Sequence, residues 1–292
     1  MSATEQLRRI LNQDGMLTAP GAYDCITARL IEQAGFGAVY MTGAGTAATL
    51  GYPDYGLITM SEMADNAGRI AAAVGVPVIA DADTGYGNEL NVVRTVREYE
   101  KRGVAGIHIE DQSFPKKCGH LDNKVLIPLE DYVAKIRAAV SARSNPDFLI
   151  IARTDARAVL GFDEAIRRAN AALDAGAGMA FVEAPQTLEE VAAVPRLVRG
   201  SCLLNVVWRG KTPDVSLDDA QAMGYKLAIV PALLFTEVIG LCDRLLEEMK
   251  RTRRHPAPGT DIPPREAFRR FGADQWDQIS DRFRPTPTPP RS

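Results

Sequence analysis

Eight short apolar runs alternating with amphipathic stretches predict an α/β fold, a (β/α)8 barrel, and three observations carry that expectation. The runs number eight: Met16 to Ala19, Ala38 to Met41, Pro77 to Ala82, Ala105 to Ile109, Phe148 to Ala152, Met179 to Val182, Cys202 to Val207 and Leu227 to Val230. Each is too short and too evenly apolar to be anything but a strand buried on both faces. The stretches between them, such as TARLIEQAG, SEMADNAGRIAAAVG and DEAIRRANAALDAG, have helical spacing, and several close on a Gly suited to a helix C-cap. Strands separated by helices pair in parallel, and a count of eight favours the closed barrel over an open doubly wound sheet. The length of 292 residues, 46% of them hydrophobic, suits one such barrel with a little chain left over.

The surplus lies at the C-terminal end. Residues 1–250 are expected to form the barrel domain, preceded by a first helix near residues 3–13. Residues 251–263, RTRRHPAPGTDIP, are basic and Pro-rich and read as a linker. Residues 264–284 carry Phe268, Phe271, Trp276 and Phe283 on two short helices, a C-terminal extension whose aromatic set needs a surface to cover. Residues 285–292 read as a disordered tail.

Composition excludes several function classes. A net charge of −3 with interspersed signs offers no basic stripe for nucleic acid. No segment is apolar for long enough to span a membrane, and the N-terminal stretch MSATEQLRRILNQDGM has no apolar core of a leader, so a cytoplasmic protein is expected. Cys25, Cys118, Cys202 and Cys242 have neither disulfide nor zinc-knuckle spacing.

The polar residues that end the apolar runs are the main functional signal. Asp81 and Asp83 follow the third run, Glu110 and Asp111 the fourth, Arg153 and Asp155 the fifth, Glu183 the sixth, and Asn205 falls within the seventh. The C-terminal ends of barrel strands converge on one face, where barrel active sites lie. Asp81 and Asp83 are two apart on an extended segment, and their side chains share a face. Paired carboxylates repel unless a cation lies between them, and with Glu110 and Glu183 nearby an oxygen-only set suits Mg2+ or Mn2+ rather than zinc. The loop SFPKKCGHLDNK places Cys118 after Lys116 and Lys117 and two residues before His120. Cationic neighbours are expected to lower its thiol pKa, so that it can donate or accept a proton at neutral pH. TGAGTAATLG fits G-x-G-x-x-A, but the acidic residue that a dinucleotide site needs about 20 positions on is missing. Glu62 fits better as capping-box partner of Thr59. A nicotinamide-dependent oxidoreductase is therefore the remote alternative, and the small residues instead suit anion binding by backbone N–H groups.

These motifs resemble those of the isocitrate lyase and phosphoenolpyruvate mutase superfamily. KKCGH at 116–120 is similar to the isocitrate lyase signature, and VYMTGAG, LGYPDYG, DADTGYG, HIEDQ, ARTDA and VEAP follow in family order, so the resemblance covers residues 15–285. The length resembles the short bacterial branch that includes 2-methylisocitrate lyase and 2,3-dimethylmalate lyase. The resemblance implies a lyase that breaks a carbon–carbon bond in a small 2-hydroxy di- or tricarboxylate, using Mg2+ or Mn2+. Asp83 would bind the metal directly, and Asp81, Asp54 and Glu110 largely through its water shell. Thr42, Gly43 and Ala44 would hold the substrate carboxylate, with Tyr40 and Asn205 lining the pocket. Arg153 would bind a carboxylate, Glu183, His120 and Lys116 would support it, and Cys118 would act as general acid. The aromatic extension would swap onto a neighbouring subunit in a homotetramer. Trp208 and Arg209 depart from the 2-methylisocitrate lyase pattern and leave alkylmalates open. Oxaloacetate hydrolysis or decarboxylation and phosphonomutase chemistry use the same scaffold and stand as the alternatives.

Overall fold

The computed structural model describes residues 1–121 and 123–284, and the expected tail at 285–292 lies outside the described residues. Eight parallel strands close into a barrel in chain order: β1 (Leu17–Ala22), β2 (Val39–Met41), β3 (Val78–Asp81), β4 (Gly106–Glu110), β5 (Leu149–Thr154), β6 (Met179–Val182), β7 (Cys202–Asn205) and β8 (Leu227–Val230). Pairing of Leu17 with Leu227 seals β1 to β8. All eight apolar runs of the sequence are strands, as their length and two-sided burial predict.

The helices are α1 (Ala3–Leu11), α2 (Cys25–Gln33), α3 (Gly43–Thr49), α4 (Met60–Ala73), α5 (Glu89–Lys101), α6 (Leu129–Ala142), α7 (Ala156–Val159), α8 (Phe162–Asp174), α9 (Leu188–Leu197), α10 (Leu217–Met223), α11 (Leu233–Thr252), α12 (Pro264–Arg269) and α13 (Ala273–Phe283). Local chemistry sets their starts. Thr59 accepts from the Glu62 N–H and Glu62 reaches back to the Thr59 N–H, the capping box that made a nucleotide-binding acid of Glu62 unnecessary.

Strand periodicity divides the barrel into layers. Ile79, Ile151, Phe181 and Leu203 point inward and fill its middle. Two residues further along the same strands come Asp81, Arg153, Glu183 and Asn205, so the period of two carries each strand from packing to a polar group at the mouth. The opposite end is plugged by α1, whose Leu7 is buried against the interior cluster with Ala3 and Leu11 beside it. Outside the strands, α2, α4 and α5 lay Ile31, Met63, Ile70, Val92 and Val96 on the sheet.

The chain forms two compact units, Met1–Ile239 and one from Gly240 onward, and α11 begins in the first and continues in the second. The helix extends two residues into the segment expected as linker. In the second unit α12 and α13 expose Phe268, Trp276 and Phe283. Among the described residues no helix is long and apolar enough to cross a membrane.

Leu7→Ala removes the plug of the barrel floor and is expected to cost about 2–5 kcal/mol in denaturant unfolding, the usual range for a buried Leu truncation. An unchanged midpoint would show that α1 does not close the barrel.

Candidate active site

Pairing register brings the site together. Glu110 and Arg153 are direct neighbours across β4 and β5, and Asp81 lies beside His108 across β3 and β4. Arg153 is 93% removed from solvent and holds three carboxylates: its Nε lies 3.2 Å from Glu110, 3.0 Å from Asp155 and 3.8 Å from Glu183. The Phe181 ring supports the guanidinium from below at 5.1 Å.

The mouth of the barrel contains a cavity of about 100 Å3. Its polar lining is Tyr40, Thr42, Asp54, Asp81, Cys118, His120, Arg153, Glu183 and Asn205, and Ala44, Gly119, Val207, Pro231, Ala232 and Phe235 complete it. Of the residues singled out in the sequence, Gly43, Asp83, Glu110 and Lys116 stand behind this wall. Gly43 is needed there, because a Cβ would lie 2.4 Å from Asp81 Oδ2. Asp81 opens on the cavity, whereas Asp83, at φ 46°, turns to Lys116, whose ammonium lies 2.9 Å from it and also contacts Asp54.

That arrangement corrects the expectation for the thiol. Lys116 is buried and engaged by Asp54 and Asp83, with its pKa well above the ordinary lysine value because these acids outweigh burial. Lys117 is tied through its backbone to the Gln112 side chain. The Cys118 thiol therefore gains no lowering from either cation. Burial, followed by the charge of Asp54, raises its pKa, and at neutral pH it is a protonated thiol able to donate.

The remaining charges are set by burial and partners. Burial opposes the charge of Asp81, but His108, Lys116 and Arg153 outweigh it and hold its pKa below the ordinary value. Burial, with Asp81 and Asp54 close by, pushes Asp83 up to about 7 against the pull of Lys116. Glu110 is raised well above the carboxylate range by burial despite Arg153, and neither of its oxygens accepts a hydrogen bond among the described residues. Glu183 is held low: burial raises it, and Arg153 and His120 overcome that. His120 Nε2 is 3.1 Å from Glu183, its Nδ1 accepts the Lys211 N–H, and Asn205 Nδ2 donates to both Glu183 oxygens at 3.3 and 3.2 Å.

Three contributors escaped the sequence reading. His108, kept neutral by burial with a pKa of about 4, lies 2.7 Å from the Tyr40 hydroxyl and fixes that wall of the cavity. Its position two before Glu110 on one strand was the signal. Lys124 bonds Asp155 at 2.8 Å and the Gly119 carbonyl, a contact across the fold that spacing does not reveal. Phe235, edge-on to Tyr23, borders the cavity from the start of α11.

The family model described as phosphoenolpyruvate phosphomutase matches residues 7–250. The chain belongs to that family. Among its relatives, a 2,3-dimethylmalate lyase of Eubacterium barkeri is 50% identical over 232 residues, 79% of this chain and 80% of that one. A 2-methylisocitrate lyase of Aeropyrum pernix is 46% identical over 243 residues, 83% and 78% of the two chains. The structure of an oxaloacetate acetylhydrolase bound to 3,3-difluorooxalacetate matches with a TM-score of 0.92 at 37% identity, covering 96% of each chain. This family member is an enzyme, a carbon–carbon lyase.

In metal-free protein, alkylation of Cys118 by iodoacetamide is expected to keep rising with pH beyond the point at which an ordinary thiol has ionised. A rate already level at pH 7 would contradict the half-buried, protonated thiol.

Proposed function

We propose that the chain cleaves an alkyl-substituted malate of the 2,3-dimethylmalate type to a 2-oxo acid and a second carboxylate, in a Mg2+-dependent reaction with Cys118 as the proton donor. The observation that carries this reading is the mixed lining of the cavity, charged groups together with Val207, Pro231, Ala232 and Phe235. A dicarboxylate can place its 2-hydroxy acid end at the Asp81 pole and its other carboxylate at Arg153, leaving its alkyl groups against Val207, Pro231, Ala232 and Phe235. A third carboxylate, as in 2-methylisocitrate, would meet that apolar wall without a cation. Arg209 offers none to the cavity, since it lines a neighbouring groove with Trp208 and Asp214.

The donor set fits a hard divalent cation. Asp54, Asp81, Asp83, Glu110, Asp155 and Glu183 are gathered around Lys116, Lys124 and Arg153, with His120 on Glu183. That is an excess of negative charge, and the two Glu110 oxygens lack hydrogen-bond donors among the described residues. No three of the described acidic, His or Cys side chains are arranged to hold one ion together. The cluster suits Mg2+, which usually takes one or two carboxylates and keeps several waters. Asp81 or Asp83 would hold it directly, with Asp54 and Glu110 through water; Mn2+ fits the same oxygens. When bound, the metal would supply Lewis-acid stabilisation to the 2-oxygen of the substrate.

The protein's own groups do the rest. Thr42 and Ala44 border the 2-carboxylate end, with Gly43 between them letting the chain pass close to Asp81, and Tyr40 is held against it by His108. Arg153 stabilises the charge that the carbon–carbon bond leaves on the departing carboxylate as its aci form. His120, Asn205 and Glu183 keep Arg153 oriented. The Cys118 thiol then gives its proton to the carbon, and the proton released by the hydroxyl restores the thiol in the net reaction. A thiol acid has this task in carbanion chemistry and none evident in phosphoryl transfer, which weighs against the phosphonomutase alternative. The similarity to oxaloacetate acetylhydrolase keeps oxaloacetate hydrolysis as the second reading.

We further propose that the exposed aromatic face of α12 and α13 covers a neighbouring subunit within a homotetramer.

Release of 2-oxo acid from 2,3-dimethylmalate, 2-methylisocitrate, isocitrate and oxaloacetate, each with Mg2+ and with EDTA, tests the reading. Metal-dependent pyruvate release from 2,3-dimethylmalate is expected to exceed the rate on both tricarboxylates. Turnover of oxaloacetate alone would transfer the protein to the second reading. Cys118→Ser should lower kcat by about 100-fold or more with Mg2+ affinity unchanged; wild-type turnover in this variant would remove the thiol acid. Light scattering should give a tetramer for the full chain and a smaller species after truncation at 252, and a monomeric full chain would refute the covering role.

A further inference from the structure

Gly119 is the point at which the cysteine loop meets the barrel. A Cβ there would lie 2.4 Å from Arg153 Nη2 and 2.6 Å from Glu183 Cγ, so the peptide between Cys118 and His120 rests directly on the guanidinium and the carboxylate of the site. Its carbonyl accepts a hydrogen bond from Lys124 Nζ. Lys124 is 7% exposed, and the same ammonium donates to Asp155 Oδ1 at 2.8 Å. Asp155 is fully buried and also accepts from Arg153 Nε at 3.0 Å and Nη2 at 3.2 Å. It is fixed from its own backbone, whose N–H donates to Asp111 Oδ1 at 2.8 Å. Asp111 is held in turn by the Thr154 hydroxyl and Arg168. One rigid carboxylate on β5 thus sets both the group that receives charge and, through Lys124, the peptide that carries the proton donor.

We propose that Lys124 is a positioning residue that seats Cys118 over Arg153 by pinning the Gly119 carbonyl to Asp155. A charged side chain is buried here with two acceptors in fixed directions, and a short ammonium rather than a planar guanidinium suits an acceptor pair of one carbonyl and one carboxylate oxygen. Asp155 alone could neutralise Arg153. The second cation is needed because the loop backbone at Gly119 has no other donor among the described residues to hold its carbonyl on the barrel. The consequence is selective: without Lys124 the substrate still finds Arg153, while the thiol loses its fixed distance from the reacting carbon. This inference rests on Cys118 being the acid for its kinetic consequence, whereas the seating itself is independent of the substrate.

The test uses the full chain with Mg2+ and two readouts. The first is the rate at which iodoacetamide alkylates Cys118, followed by peptide mass mapping with Cys25 and Cys242 as internal references. In Lys124→Met that rate is expected to rise about tenfold through local opening, with the reference cysteines unchanged and Lys124→Arg returning most of the protection. The second is turnover of 2,3-dimethylmalate. Lys124→Met should lose about 100-fold in kcat, the scale set by misplacing a reacting group by about 1 Å, while KM stays within about threefold. Asp155→Asn, which also releases Arg153, should lower kcat and raise KM together. An unchanged alkylation rate at Cys118 in Lys124→Met would overturn the proposal, and so would a rise in KM with kcat intact. Should Lys124→Met not fold, Lys124→Gln takes its place in both comparisons. If the wild type does not turn over 2,3-dimethylmalate, the proposed reaction fails and the alkylation rates alone decide whether Lys124 seats the thiol.

Discussion

Arg153 is a cation buried at the mouth of a parallel barrel among Glu110, Asp155 and Glu183, and the surrounding structure is arranged to keep it there. Burying a guanidinium is tolerable only with partners in good geometry, and breaking such a cluster by removing one member typically costs about 3–5 kcal/mol. The strand register supplies Glu110 opposite it, Phe181 one layer below supports its face, and the Tyr132 hydroxyl donates to its backbone carbonyl. The ends of β4, β5 and β6 are thereby fixed relative to one another before any ligand arrives. This is the preorganisation that makes an electrostatic site effective, since the donors need not be rearranged when charge develops.

The same cluster explains the division of labour around the cavity. Carboxylates outnumber cations on the β3 and β4 side, where Asp81, Asp83, Asp54 and Glu110 surround Lys116, and the proposed divalent ion would sit there. On the β5 and β6 side Arg153 and Lys124 face Asp155 and Glu183, and the guanidinium still borders the cavity. Val207, Pro231, Ala232 and Phe235 add apolar surface to the same cavity. The proposed substrate, with one chelating end, one plain carboxylate and alkyl branches, uses each of these kinds of group. The half-buried thiol of Cys118 borders the cavity as a neutral group, which costs less to desolvate than a thiolate would.

Much of this was legible in the sequence because barrels translate chain position into place. Asp81, Glu110, Arg153, Glu183 and Asn205 end strands, and strand ends converge, so their meeting follows from the fold class alone. Tyr40, Thr42 and His120, singled out through the family resemblance, lie around the same cavity, and their roles there belong to the proposal. Other features depend on directions that spacing does not encode. Asp81 and Asp83 are equivalent by the period of two, yet the chain turns after β3, with Asp83 at positive φ, and sends only Asp81 to the cavity. Lys116 is two residues before the cysteine in sequence but faces Asp54 and Asp83, and the expected lowering of the thiol pKa reverses. Lys124, five residues past Gly119, acts through a buried carboxylate 31 residues further on, a contact that only the folded chain brings into being.

On the proposed reading, a divalent cation must sit on the carboxylate cluster before an anion can bind beside Arg153. Calorimetric titration of oxalate, a planar two-carboxylate chelator, into the full chain with Mg2+ and then with EDTA tests that order directly. The account predicts one oxalate per chain in the presence of Mg2+ and no measurable heat of binding after chelation. Equal oxalate affinity with and without the metal would show that Arg153 and its neighbours bind the anion unaided, and would contradict the metal-centred site.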